Sequence, residues 1–490
     1  MRTRFKQLGK DSLVYGIGGI MSKAIGFFLL PIYTRIFSPA DYGTIEMLTV
    51  LNGLLGALLV MGMDSAQSFY FFEQKKTGED EQARVVTAIL QWRILWGLGI
   101  VILATLVSPL LNQYFFNGQL SWEYFVIAFV GALFAQIMSQ SAEVYRLLYR
   151  PWSYITIILG QTFASAAIAI TLIVGFGFGI MGFFIGMLSG SLIAAAFGWW
   201  RIRNYLDLSG WHTYLWPKVL KFGAPLIPAA LAMYILNTAD RWFISNINGS
   251  ETLGLYAVGA KFAMLMAIAV TTFRTAWWPV VMDSIQSSDG PALVNTMASL
   301  YLGIGCSGII LLTALSPFLV RFLTPPPFHA AYPIVGILAW QSMFYGFNLI
   351  VTVGIWKKEK TIWASILIGA VSVLNIVLDA LLVPEYGGIG AALATSLSFL
   401  VWNILTLIVS ERLWPVGYRI RTFGFQICIA MAACFLILYV YDKGILLWRI
   451  VLISFVSIII LCALSVSLEH LRKLFDLLKK KKGRKNWQII

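Results

Sequence analysis

The sequence predicts an all-α membrane protein with fourteen transmembrane helices, and its composition, hydropathy and charge placement support this prediction. Of the 490 residues, 59% are hydrophobic and only 12% are charged, and the mean hydropathy is +0.80. A soluble domain does not carry enough polar surface to cover such a composition. We therefore take the lipid bilayer to be the solvent of this chain.

Fourteen apolar stretches, each about long enough to cross a bilayer core of about 30 Å, follow one another along the chain. They cover residues 12–36, 43–63, 86–108, 123–145, 153–174, 179–199, 217–237, 253–273, 296–319, 331–355, 361–383, 387–409, 423–441 and 446–467. Four basic residues precede the first stretch, as in a signal peptide, but the stretch is too long for one and further spans follow. We expect an uncleaved first helix.

Basic residues predict the orientation of these spans. With the N-terminus inside, and with Lys218 and Arg35 at the span margins counted in the adjoining connectors, the inner segments hold 27 lysines and arginines and the outer connectors hold 4. The positive-inside rule then places both termini in the cytoplasm. The net charge of +14 follows from this topology, so we expect no nucleic acid as a partner.

A weak internal repeat predicts how the spans are organised. A shift of 208 residues superimposes spans five and six on spans eleven and twelve, with Gly179 on Gly387 and Gly182 on Gly390. Two six-helix pseudo-symmetric lobes result, and transporters with parallel repeats of this kind hold substrate between them. The predicted domains are an N-terminal lobe at 1–203, a C-terminal lobe at 204–412, two extra C-terminal helices within 413–467, and a basic tail at 468–490 on anionic membrane lipids or in solvent.

The motifs for enzymatic chemistry are missing from the sequence. It has no GxxxxGK[ST] phosphate loop, its four cysteines fall inside predicted spans, and its three histidines are far apart. The GxGxxG at Gly177, Gly179 and Gly182 lies in a tight connector without a preceding strand. We therefore expect no enzyme and no cofactor, with a sodium ion as the one candidate ligand besides the transported substrate.

Two lysines inside predicted spans are the first candidate site residues. Lys23 lies near the middle of span one and Lys261 well inside span eight. Because a charge near the bilayer centre costs at least about 2.5 kcal/mol, we expect both to face a wet cavity and to attract an anionic group such as a lipid diphosphate. Arg35 and Glu46 complete the candidate substrate-binding set. The alternative is that the lysines pair internally with Glu46 or another acid.

Oxygen-bearing residues of the second half form a candidate ion site. Asn375 and Asp379 share one helical face because they are four residues apart. The full set supplies two carboxylates, an amide, a hydroxyl and a backbone carbonyl, the ligands that hard cations prefer, so sodium is the first candidate and a proton the second. The set consists of Asp240, Asn375, Asp379, Ala391 and Thr395. The alternative is that Asp379 faces the outer interface and Asp240 pairs with Arg241.

With these residues identified, the chain resembles the oligosaccharide flippases of the multidrug/oligosaccharidyl-lipid/polysaccharide exporter superfamily over spans one to twelve. The segments that carry the resemblance are 22–43, 237–241, 254–261, 375–379 and 387–395. The resemblance implies a V-shaped cavity that opens alternately inward and outward and moves undecaprenyl-diphosphate-linked sugars to the outer leaflet. It also implies membrane lipids, a polysaccharide polymerase and glycosyltransferases as partners of a monomeric transporter.

The resemblance extends to the related lipid II flippases with one departure. That branch has cavity arginines where Lys23 and Lys261 fall and sodium ligands where the candidate ion site falls. Its charged pair on helix one is replaced here by Leu29 and Leu30, and span two has no arginine. The departure favours O-antigen or exopolysaccharide repeat units as substrate. The alternatives are a lipid II flippase, a multidrug cation antiporter, a non-transporting scaffold and, with less support, a membrane polymerase or ligase.

Overall fold

A computed structural model of the chain describes residues 2–76, 78–444 and 447–465. Within these ranges the regular structure is helical and no strand occurs. The α-helices are α1 Arg2–Ile36, α2 Pro39–Val60, α3 Met63–Glu73, α4 Glu79–Phe116, α5 Trp122–Leu147, α6 Pro151–Ile170, α7 Gly179–Arg201, α8 Trp216–Gly223, α9 Ile227–Ile247, α10 Gly249–Ser284, α11 Gly290–Leu323, α12 Tyr332–Val351, α13 Val353–Lys357, α14 Ile362–Leu413, α15 Ile420–Asp442 and α16 Leu447–Ser465. The predicted tail at 468–490 lies outside the described residues.

Twelve helical segments of the described chain are long and apolar enough to cross a membrane. The all-helical membrane fold is thus confirmed, whereas the count of fourteen and the two pseudo-symmetric lobes stay predictions. One of the twelve segments, Ile362–Leu413, is 52 residues long and contains two of the predicted spans, 361–383 and 387–409. The first predicted span lies within α1.

A glycine separates the two halves of α14. Gly387 has φ 54° and ψ −132°, a non-helical conformation inside the long helix. Residues with a side chain rarely adopt a positive φ with this ψ, whereas glycine does so readily. The chain therefore changes direction between Asp379 and Ala391, close to the connector that the apolar pattern predicts.

The seventh predicted span, 217–237, lies within an observed helical segment that extends further, Thr213–Ile247. It corresponds to the short α8 and to α9, which are separated by a 3₁₀ turn over Ala224–Leu226. Pro225 and Pro228 favour this break because proline lacks the backbone donor that a continuous helix needs. The helix α9 then continues to Ile247, so Asp240 and Arg241 lie inside it rather than at its end. Their charges lower the hydropathy of the segment before the helix ends.

A capping box starts α2 directly after α1. The Ser38 hydroxyl accepts a hydrogen bond from the Asp41 backbone N–H at 3.2 Å, and the Asp41 carboxylate accepts one from the Ser38 backbone N–H at 3.0 Å. Pro39 occupies the first turn, where its missing donor is not needed. This local sequence fixes where α2 begins and hence the position of Glu46 two turns later.

The helices assemble into two compact units. The first contains the described residues of Met1–Val258, Leu323–Phe328 and Ile368–Ala394, and the second those of Gly259–Phe322, His329–Leu367 and Thr395–Ile490. Each unit draws on segments that are distant in the sequence, and its bounds differ from those of the internal repeat. The four domains predicted from the sequence therefore stay a prediction.

Small residues set the close helix packing of the first unit. A Cβ at Gly186 would lie 2.5 Å from the Ala169 Cβ, and one at Gly190 would overlap Ser165. Gly186 and Gly190 on α7 therefore allow close packing against α6. The N-terminal turns of α2 and α10 meet in the same way, because a Cβ at Gly43 would overlap the Ser250 carbonyl.

The connector after α7 is fixed to α4 by polar contacts. The Asp207 carboxylate lies 3.1 Å from the Arg84 Nε and accepts the Ser209 backbone N–H at 3.0 Å. The hydroxyl and backbone N–H of Ser209, followed by Arg84, lower the pKa of Asp207 to about 2. His212 extends the cluster, with its Nε2 3.1 Å from the Asp207 carbonyl oxygen.

The second unit is held together by buried polar contacts between its helices. The Asn403 amide donates to the Phe344 carbonyl at 2.9 Å, joining α14 to α12. The Ser410 hydroxyl accepts the Gly354 backbone N–H at 2.9 Å, joining α14 to α13. Such bonds satisfy backbone and side-chain groups that neither lipid nor the apolar core can hydrogen-bond.

Candidate functional site

A buried cluster of charged side chains lies in the first unit. It gathers Glu46 from α2, Asp240 and Arg241 from α9, and Tyr256 from α10. The Arg241 guanidinium lies at its centre: its Nε is 2.8 Å from a Glu46 oxygen and its Nη1 is 2.9 Å from an Asp240 oxygen. These are two charge-assisted hydrogen bonds from one cation to two acids.

Further contacts fix the Asp240 carboxylate. The Tyr256 hydroxyl donates to one of its oxygens, and the Arg241 backbone N–H donates to the other at 2.9 Å. The Arg241 side chain also lies over the Tyr256 ring, with its Cζ 5.4 Å from the ring centre. Both Asp240 oxygens therefore have protein partners in this conformation, and a cation would have to share or displace them.

Asn375 and Asp379 on α14 are a second, different element of the site. Both are 0% exposed, so Asp379 does not face the outer interface. In the described part of the chain, neither carboxylate oxygen of Asp379 and neither polar atom of the Asn375 amide has a hydrogen-bond partner. Buried polar groups without partners are costly, so this pair has the capacity for an additional ligand.

The electrostatics of the cluster favour a cation. The Asp379 carboxylate interacts with both Asp240 and Arg241, so the elements belong to one charged site. The charged site then has three carboxylates, those of Glu46, Asp240 and Asp379, and one guanidinium. When all three are ionised, negative charge is in excess, and a bound proton or sodium ion would reduce that excess.

The residues predicted to complete the ion site occupy different places. Ala391 follows the break at Gly387 and is fully buried in the first unit. Thr395 lies one helical turn later on α14, is 1% exposed, and belongs to the second unit. Helical spacing puts these two on one face. Coordination of an ion by the complete set stays a prediction.

The predicted substrate-binding cations are separate from this cluster in the chain. Lys261 follows Tyr256 by five residues on α10 and is half-buried, with no ion pair to a described residue. Arg35 is exposed at the end of α1. The side chain of Lys23 lies outside the described residues, so a cavity shared by Lys23 and Lys261 stays a prediction. Glu46 forms an ion pair with Arg241.

An ion pair in the first unit was not predicted from the sequence. The Arg93 side chain on α4 is 0% exposed, and its Nη2 lies 2.7 Å from an Asp64 oxygen on α3. Its Nη1 donates to the Gln136 carbonyl at 2.7 Å. An arginine inside an apolar run signals a required acid, but 29 residues separate it from Asp64, and sequence spacing cannot identify such a partner.

Within the described part of the chain, no three or more His, Cys, Asp or Glu side chains are arranged so that they could hold a metal ion. The four cysteines are unpaired thiols, with Cys306 and Cys434 buried. The ion-binding capacity therefore rests on carboxylate, amide and backbone oxygens, the set that alkali cations and protons use.

Two family models match the chain. One described as polysaccharide biosynthesis protein covers residues 8–284, and one described as MatE covers residues 225–381. The curated Lsg locus putative protein 1 of Haemophilus influenzae is 22% identical over 282 residues. That match covers 56% of this chain and 66% of the relative, slightly less than two thirds of the relative's length.

Solved structures share the fold over most of the chain. The lipid II flippase MurJ in its inward closed conformation superimposes with a TM-score of 0.71 at 18% identity, covering 92% of this chain and 98% of MurJ. An inward-facing multidrug resistance MATE family transporter of the MOP superfamily gives a TM-score of 0.67 at 12% identity, covering 80% and 95%. At these identities the likeness establishes the fold.

Proposed function

The chain belongs to the family of polysaccharide biosynthesis proteins, and from that premise we propose that it is a flippase for lipid-linked oligosaccharide. It moves undecaprenyl-diphosphate-linked repeat units from the cytoplasmic to the outer leaflet of a bacterial inner membrane by alternating access. The observation that carries the proposal is the family match over residues 8–284, more than half of the chain. A fold shared along its length with a lipid II flippase supports it.

Lys261 is the described residue best suited to the diphosphate. It lies in the interior of α10, is half-buried, and has no acidic partner among the described residues. A lysine held away from bulk water attracts phosphate as a point charge, and the attraction is stronger than at an exposed position. Lys23 and Arg35 complete the proposed anion-binding set, with Glu46 close to the substrate path. Glycosyltransferases would act before this monomeric transporter, and a polymerase would act after it.

A cation bound near Asp379 is the proposed driving ligand. The orphaned oxygens of Asn375 and Asp379 fit sodium, and the carboxylate alone fits a proton. Arg241 now holds Asp240, so Asp240 joins the ion only if the arginine moves toward Glu46. Ala391 and Thr395 would supply a carbonyl and a hydroxyl from the second half of α14. The proposed ion releases its free energy by moving down its gradient while the cavity resets.

A multidrug cation antiporter is the second candidate. The excess of buried carboxylate in the first unit and the MatE match over residues 225–381 favour it. It predicts uptake of a cationic dye by vesicles, driven by an ion gradient and lost in Asp379→Asn. A lipid II flippase is the nearest related alternative, and it predicts a requirement for the protein in peptidoglycan rather than in surface polysaccharide synthesis.

A deletion in the source bacterium tests the proposal. Surface polysaccharide should disappear and its lipid-linked precursor should accumulate, whereas peptidoglycan synthesis should continue. Wild-type chain should restore export, Lys261→Ala should restore it poorly, and Lys360→Ala, which alters an exposed lysine, should restore it fully. Normal polysaccharide in the deletion strain would contradict the proposed function.

A further inference from the structure

A cavity of about 580 Å³ lies within the first unit, separate from the charged cluster. It is enclosed by α2, α3, α5, α6, α7 and α9, and it runs from Thr49 in the middle of α2 to Asp64 at the start of α3. Its size falls within the range of about 300–1,000 Å³ that small-molecule sites occupy. By the charge pattern, the end at Asp64 is the cytoplasmic end.

The cavity wall is apolar over most of its area, and the polar side chains set into it are uncharged except for Asp64. Three amide side chains and three hydroxyl side chains line it, interspersed with glycine and alanine: Asn52, Gln136, Gln161, Thr49, Ser65 and Ser191. Amides and hydroxyls both donate and accept hydrogen bonds, as the hydroxyl groups of a sugar do. Uncharged amides and hydroxyls inside a membrane protein suit a neutral polar ligand, because they supply the hydrogen bonds that lipid cannot.

The acid in the wall is already neutralised. Asp64 lines the cavity, and Arg93 behind it supplies the ion pair at 2.7 Å. A cationic drug would need an uncompensated carboxylate, and a diphosphate would need a free cation. Among the lining residues, neither is present, so the electrostatics favour a neutral ligand over both.

Hydrogen-bonding capacity remains at the amides. The Asn52 side-chain oxygen has no partner in the described part of the chain, although it is buried. Gln161 donates only weakly placed bonds, at 3.2 Å to Ser165 and 3.4 Å to Ser191. Gly56 keeps the wall open beside the Gln136 amide, since a Cβ there would lie 3.0 Å from its nitrogen.

We propose that this cavity binds the carbohydrate part of the transported lipid through Asn52, Gln136 and Gln161. The inference rests on the proposed function and deepens it by separating two recognition tasks. Amides of the first unit select the neutral sugar residues, and the lysines bind the diphosphate. The cavity reaches the predicted cytoplasmic end, where the sugar-bearing lipid is made.

Lipid binding to the full chain in nanodiscs tests this separation. The probes are undecaprenyl diphosphate and the same lipid bearing N-acetylglucosamine. Wild type should bind the sugar-bearing lipid about tenfold or more tightly than the bare lipid, and Asn52→Ala/Gln136→Ala should abolish that preference, because two hydrogen bonds are lost. Gln113→Ala, an exposed amide, should change neither affinity.

The bare lipid serves as the internal folding control. Retained binding of bare lipid by the double variant, with the sugar preference lost, supports the inference. The inference is overturned if the double variant keeps the full preference or if wild type binds both lipids equally. In either case the proposed diphosphate binding stands if Lys261→Ala weakens the binding of both lipids. Wild type that binds neither lipid contradicts the proposed function and the inference together.

Discussion

Arg241 is the position where a single substitution should most disturb the charged cluster. It is the one cation paired with Glu46 and Asp240 among the described residues, at 2.8 and 2.9 Å, and its side chain is only 16% exposed. Arg241→Gln leaves both acids, with Asp379 nearby, in a medium of low dielectric. Glu46→Gln removes one acid and leaves Arg241 paired with Asp240.

These two substitutions should therefore differ in cost. Breaking a buried ion pair by removal of one partner costs about 3–5 kcal/mol, and we expect Arg241→Gln to fall in that range because two acids lose their counter-ion. We expect Glu46→Gln to cost about 1 kcal/mol, the net value of an ordinary hydrogen bond, since Arg241 keeps its ion pair with Asp240. The double variant should be more stable than Arg241→Gln alone by about 1 kcal/mol or more.

Denaturant unfolding in mild detergent, followed by tryptophan fluorescence, measures all three free energies of unfolding. Arg203→Gln, which alters an exposed arginine, is the matched control and should be within about 0.5 kcal/mol of wild type. The charge-balance reasoning is refuted if Arg241→Gln is no more destabilising than Glu46→Gln. It is also refuted if the effects of the two single substitutions simply add in the double variant.

Three further outcomes follow from the contacts of the first unit. Sodium should raise the melting temperature of wild type, because a ligand that binds the folded state shifts the melting point. It should do the same for Asp80→Asn, which alters an exposed acid, but not for Asp379→Asn. No shift in wild type would exclude sodium as the ligand. Asp64→Asn should lower the melting temperature more than Arg93→Met does. The Arg93 side chain is 0% exposed and that of Asp64 is 40% exposed, so Asp64→Asn leaves an unpaired charge away from water, whereas Arg93→Met leaves an acid that water can solvate. The reverse order in a thermal scan would contradict this. The folded-state pKa of Asp207 is lowered to about 2, so its stabilisation of the connector is complete above its unfolded pKa of about 4 and is lost as the pH falls through about 2. Asp207→Asn should therefore speed hydrogen exchange in this connector at about pH 6. An unchanged exchange rate there would exclude the contact.

The helices were predictable because apolar length is a local property of the chain. The predicted spans fall on described helices. The seventh predicted span ends at 237, before α9 ends at Ile247, because hydropathy drops at Asp240 and Arg241, whose charges compensate one another inside α9. The number of spans depends on whether α14 is counted once or as two helices that meet at Gly387, where the backbone is not helical.

The candidate site was predictable only in part. The shared face of Asn375 and Asp379 follows from helical spacing, and the pairing of Asp240 with Arg241 was the stated alternative for that acid. The contact between Glu46 and Arg241 joins residues 195 positions apart, and it depends on how packed helices are aligned. Sequence periodicity carries no information on that alignment, and for the same reason the Arg93 ion pair was missed.

Transport in proteoliposomes tests the central claim most directly. Purified chain is reconstituted with undecaprenyl diphosphate bearing a short neutral glycan on the inner leaflet, and the appearance of the glycan outside is followed with an impermeant lectin. The proposed flippase should expose the glycan faster than protein-free liposomes do, and Lys261→Ala should slow the exposure. Exposure at the protein-free rate, in vesicles that take up a cationic dye against its gradient, would contradict the account and identify a drug antiporter instead.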